Sequence, residues 1–187
     1  MELTLSWDLI VIVFFAVVVA FSFIVGKDES VKIIVASYIA IVAVQAFGNL
    51  LTLLFGGAEP IMGLPGWGLD RDILSIVKLI LFVATIIALS IQGGLTIEYE
   101  RDIGGFWDPL LTALFGFSTA GLLLSALLTY IAGRPLLDTQ LASAPLLSPL
   151  LAQSTLVQAM VDWQDLWFCL PAILLLIVGF LSSPRRS

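Results

Sequence analysis

The chain has 187 residues, of which 60% are apolar and only 12% charged, about half the charged share of roughly 25% found in soluble domains. Histidine is absent and Cys169 is the one cysteine, which excludes an intramolecular disulfide and a Cys/His zinc or haem site within one chain. The net charge of −6 arises largely in acidic connections and argues against a nucleic-acid partner.

Long apolar runs alternate with short polar stretches, the pattern of a polytopic membrane protein. The opening, Met1 to Asp8, is acidic and lacks a basic region. The apolar run after it, Leu9 to Val25, is therefore expected as a retained transmembrane helix rather than a cleaved signal peptide. Further runs follow at Ile33–Phe55, Ile73–Ile91, Leu110–Ala132 and Leu166–Leu181. The first four are long enough for a hydrocarbon core of about 30 Å, which takes about 20 helical residues. The fifth is shorter and contains Pro171, so a re-entrant or interfacial path is its alternative. Asp8, Ser30, Asp72, Asp108 and Asp165 each stand just ahead of a run, where a side-chain oxygen can cap free N–H groups. Asp108-Pro109 adds proline at the first helical position. Trp7, Trp67, Trp107, Trp163 and Trp167 fall near the ends of these runs, as amphipathic rings do at a membrane interface.

Two regions between the runs have character of their own. Gly56 to Asp72 is rich in glycine and proline and is expected as a loop lying against the membrane. Residues 134–164 contain a helix start at Ser148-Pro149. Leu150, Leu151, Ser154, Val157, Met160 and Val161 then recur at helical spacing, which points to an amphipathic helix on the outer surface or packed on its own bundle. The expected fold is thus all-α: one integral membrane domain of five transmembrane helices plus this amphipathic helix. Five spans place Lys27, Lys32, Arg101, Arg185 and Arg186 on one side and Arg71 and Arg134 on the other. The positive-inside rule then puts the C-terminus in the cytoplasm and the N-terminus outside.

Polar groups within the hydrocarbon are the first candidates for function, because unpaired they are costly there. Lys78 lies roughly 9 Å into its helix at 1.5 Å per residue. Gln45 and Asn49 share a face of the second helix at a similar depth, with Thr52 extending it, while Ser75 and Thr85 share the face of Lys78. A polar patch of Gln45, Asn49 and Lys78 is expected between the two helices, with Asp8 a candidate partner for the ammonium. Its alternatives are a lysine that snorkels to the headgroups and amides that serve as interhelical glue. On the fourth helix, Thr112, Gly116 and Ala120 recur at four-residue steps, with Ala113, Gly121 and Ser125 nearby, a face on which another helix can approach closely.

No catalytic constellation is evident. Gly116-Phe117-Ser118-Thr119 is slightly like an intramembrane serine-protease sequence, but that chemistry needs a base, usually histidine. There is no Walker loop, dinucleotide fingerprint or His-Glu-x-x-His. No cofactor or metal is expected. Glu98, Glu100, Arg101 and Asp102 read as a solvated connection, with a cation or partner site as the alternative, and Cys169 as a small apolar residue, with acylation or cross-linking as its alternative.

Three features together resemble the CvpA family, the colicin V production proteins. Trp7-Asp8 opens a long apolar helix that ends at Gly26 before the charged turn Lys27-Asp28-Glu29. Asp108 precedes Thr112, Gly116 and Ala120 at four-residue steps. Ser154-Thr155-Leu156-Val157 lies in an amphipathic stretch after the fourth helix. Pro109 stands where the family carries a basic residue, and the fifth apolar run exceeds the family's four-helix plan. The resemblance spans about residues 7–160. It implies a non-enzymatic bacterial inner-membrane protein linked to colicin V production and envelope physiology. In that reading the partners are the lipid bilayer and other membrane proteins or further copies of the chain. The alternative is a small oligomeric channel or transporter component built on the polar patch.

Overall fold

A computed structural model describes residues 6–55, 71–92, 107–133, 137, 144 and 147–182. Seven helices follow in order among these: α1 (Trp7–Val25), α2 (Lys27–Phe55), α3 (Arg71–Gln92), α4 (Trp107–Ile131), α5 (Ser148–Gln153), α6 (Thr155–Asp162) and α7 (Gln164–Ser182). No strand occurs among the described residues. The expected loop at 56–70 and the acidic connection at 93–106 lie outside them, as do most of residues 134–146.

α1, α2 and α4 are long and apolar enough to cross a membrane. A further candidate span is the pair α6–α7, bent by 67°; the apolar stretch of α3, Ser75–Ile91, is shorter. The described residues are thus all-helical, with three candidate spans against the five expected, or four if the bent pair is one span. The run expected at 166–181 continues without a break through Pro171 as α7.

Helix boundaries move slightly from their expected places, for local reasons. The Ser6 hydroxyl, not Asp8, caps α1 by accepting from the Leu9 N–H at 3.3 Å; Asp8 sits in the first turn. α2 begins at Lys27, ahead of Ser30, because Gly26 turns the chain with φ +87°, a conformation that glycine adopts without Cβ strain. The Ser30 hydroxyl instead donates to the Gly26 carbonyl at 2.8 Å. Lys27, Asp28 and Glu29 are thus helical rather than a loop. The amphipathic stretch is two helices, not one. Ser154 is extended (φ −141°, ψ 119°), and its hydroxyl caps α6 by accepting from the Val157 N–H at 3.0 Å.

α4 is the central helix. α1, α2, α3, α6 and α7 all pack on it, most extensively α1. Its threonines satisfy their hydroxyls on the helix's own backbone. Thr112, Thr119 and Thr129 donate to the carbonyls of Asp108, Phe115 and Ser125 one turn back, a device available to hydroxyls in any helix. Gly116 lets α1 approach: a Cβ there would lie 2.8 Å from the Ser22 Oγ and 3.1 Å from the Val19 Cα. Gly121 receives the face of Trp167, whose ring also meets Phe15 and Phe117 at centroid distances of 5.7 and 5.6 Å. That aromatic triangle joins α1, α4 and α7. Trp167 therefore serves packing rather than the interfacial belt; Trp7, Trp107 and Trp163 are exposed at helix ends.

α6 packs on α1, α4 and α7 through buried Val157, Met160 and Val161. Of the two placements open to the amphipathic stretch, it takes the one on its own bundle. α7 is tied to α4 by Gln164, which donates to the Thr129 hydroxyl at 3.0 Å. Pro171 cannot donate to the Trp167 carbonyl one turn back, and beside that missing bond the Phe168 carbonyl accepts from the Tyr38 hydroxyl of α2.

Candidate functional site

The helix order puts the start of α1, the end of α4 and the start of α6 at one end of the bundle. The end of α1 and the starts of α2 and α4 meet at the other. Each end carries a polar contact that anchors α1.

At the first end, Asp8 Oδ1 accepts from the Ser154 hydroxyl and, at 3.0 Å, from the Leu156 N–H. A carboxylate so placed meets both a free N–H group and the positive end of the α6 dipole. Asp8 is therefore not the partner of Lys78. Its carboxylate is taken up by α6, while Lys78 lies against α2.

At the other end, Lys27 Nζ pairs with Asp108 Oδ1 at 3.0 Å, with 12% and 34% of the two side chains exposed. The pair clamps the α1–α2 turn to the start of α4. Beside it lies a polar cavity of about 260 Å³, lined by Val25, Gly26, Lys27, Asp28, Asp108 and Thr112. Asp28 Oδ1 is buried without a hydrogen-bond partner. A buried acceptor left unpaired costs free energy, and among the described residues Asp28 is the one carboxylate with such an oxygen.

Gln45, Asn49 and Lys78 come to one region. Gln45 Nε2 donates to Asn49 Oδ1 at 3.4 Å, along α2. Between those two residues Gly48 is buried, and a Cβ on it would lie 2.1 Å from Lys78 Cε and 2.9 Å from Nζ. The lysine stem therefore lies across the glycine. Asn49 is exposed, and Gln45 Oε1 is buried without a partner. Ser75 Oγ lies toward Gly133, and Thr85 donates to the Leu81 carbonyl of its own helix. The side chain of Thr52 lies outside the described residues.

Thr112, Gly116 and Ala120 are all buried, and the helix that Gly116 admits is α1 of the same chain. Cys169 is exposed. No group of three or more His, Cys, Asp or Glu side chains that could hold a metal occurs among the described residues.

Sequence reasoning did not find the Lys27–Asp108 pair or the Ser154 and Leu156 contacts of Asp8. Asp8, Lys27 and Asp108 read as lying beside helix ends and Ser154 as lying within the amphipathic stretch, but the partners are 81 and 146 residues apart. The seat of Lys78 did leave a signal: Gly48 stands between Gln45 and Asn49. Comparison with family models, with curated proteins and with solved structures finds no match to this chain.

Proposed function

We propose that this chain is a non-enzymatic bacterial inner-membrane protein of CvpA type, a scaffold or subunit of a membrane assembly. One observation carries the reading. The residues on which the resemblance rests meet in pairs across the fold: Asp8 with Ser154 and Leu156, Lys27 with Asp108, and Gly116 with α1. Features far apart in sequence thus form one framework around α1.

In this reading five helices span, α3 and α7 among them, with the Asp8 end outside and the Lys27 end cytoplasmic. The basic residues favour that orientation. α1 offers a largely exposed face, including Val13, Val17 and Ile24, on which lipid or a neighbouring membrane protein packs. Purification from the native membrane in nanodiscs, followed by mass spectrometry, tests the subunit role. A reproducible partner set or a defined homo-oligomer is expected. A monomer with no partner contradicts the role.

A second reading is a channel or transporter component, favoured by Gln45, Asn49 and Lys78 gathering around Gly48. Intramembrane ionisable groups often mark solute paths. Lys78→Met then abolishes flux in proteoliposomes while folding is preserved. Flux unchanged by that substitution removes this reading.

A further inference from the structure

The polar cavity at the Lys27 end has an apolar counterpart. A groove of about 400 Å³ lies between α1 and α3 over α2 and α4, lined by residues that include Val18, Phe21, Ile33, Ile87, Ile91 and Leu123. Ser22, Ser30, Ser90 and Thr119 also border it. The hydroxyls of Ser30 and Thr119 are spent on the Gly26 and Phe115 carbonyls. Polar atoms therefore contribute almost nothing to its surface, and such a space suits an apolar guest rather than water.

The two spaces are stacked along the same helices. On α1 the cavity takes Val25 and the groove Ser22 to Val17. On α2 the cavity takes Lys27 and Asp28 and the groove Ser30 and Ile33. On α4 the cavity takes Asp108 and Thr112 and the groove Thr119 and Leu123. On each helix the groove lies deeper in the bundle than the cavity. Exposed Val17, Phe21, Ile87 and Ile91 continue the groove into the lipid-facing surface.

Charge selects the head of the guest. Lys27 is balanced by Asp108, which leaves the Asp28 carboxylate as the excess charge on the cavity wall, with one oxygen lacking a donor. A primary ammonium supplies three N–H donors and a positive charge. A quaternary ammonium supplies the charge without donors.

We propose that the cavity and groove together form a phospholipid site. It takes a primary-ammonium headgroup of the phosphatidylethanolamine class beside Asp28 and one acyl chain between α1 and α3. The site stands whether or not the chain is a CvpA-type subunit.

The test is native mass spectrometry of the full-length, delipidated protein titrated with dioleoyl phosphatidylethanolamine, phosphatidylcholine and phosphatidylglycerol. The parent should retain the ethanolamine lipid about tenfold more strongly than the choline lipid, the value of a charge-assisted hydrogen bond. Asp28→Asn should bring the two lipids to equal retention. Ser90→Phe, which fills the groove from its exposed edge, should weaken both. Equal binding of the two lipids by the parent, preference for the glycerol lipid, or a preference unchanged in Asp28→Asn overturns the site. If Asp28→Asn does not fold, the parent's headgroup preference decides alone.

Discussion

Asp8 accepts a hydrogen bond from the hydroxyl of Ser154, a residue 146 positions along the chain. The same carboxylate oxygen accepts from the Leu156 N–H. Ser154 in turn caps α6 through the Val157 N–H. The first helix of the bundle and the short helix that crosses its end are thus tied at one point. Ser154→Ala should cost about 1 kcal/mol, as the loss of a side-chain cap does. Asp8→Asn should also lower stability, and the double variant should lose less than the two effects added, because both act on one network. Reversible unfolding in mixed micelles measures this, and strict additivity would argue against the shared contact.

The opposite end of α1 is held by Lys27 and Asp108. With the two side chains 12% and 34% exposed, the pair is neither free in water nor deeply buried. A double-mutant cycle with Lys27→Met and Asp108→Asn should give a coupling of about 1 kcal/mol. The coupling should fall as salt is raised, since the Debye length shortens from about 10 Å at 0.1 M to about 3 Å at 1 M.

Gly116→Ala places a methyl group against the Ser22 side chain and the α1 backbone. Overpacking of this kind costs about 1–3 kcal/mol. Ser22→Gly in the same chain should recover part of the loss, because the remaining neighbour, the Val19 Cα, stands 3.1 Å away. Since the approaching helix belongs to the same chain, oligomeric state should not follow this substitution. Native mass spectrometry and melting temperature, read together, separate the two effects.

Gly121→Ala should be at least as damaging. A Cβ there would lie 2.0 Å from a ring carbon of Trp167, and that ring is locked between Phe15 and Phe117. A melting temperature equal to the parent's would mean that Trp167 is not seated on α4.

Much of the helical layout was legible from apolar runs, because a segment in lipid must satisfy its own backbone and so announces itself by length and composition. The turn at Gly26 was less legible: charged Lys27-Asp28-Glu29 reads as a loop, yet a single glycine at positive φ is enough to reverse the chain. The packing role of Thr112, Gly116 and Ala120 was visible in their spacing, but their partner was not. Spacing on one helix says which face is small and not which helix meets it. Depth and helix direction group Gln45, Asn49 and Lys78, and the Lys78 stem lies against Gly48 between the two amides. They do not place Asp8, because depth alone leaves several partners open and the α6 N-terminus that claims it depends on where residues 147–162 fold back. Lys27–Asp108 and the lone oxygen of Asp28 arise from tertiary placement, which no local pattern encodes.

In the proposed arrangement α1 crosses the bilayer, anchored by Asp8 at one face and by Lys27 at the other. Single cysteines at Ser6 and Glu29, both exposed, in a Cys169→Ser background report this directly. In sealed vesicles, a membrane-impermeant thiol reagent should label Ser6→Cys from one side and Glu29→Cys only from the other. Labelling of both from the same side would contradict the account.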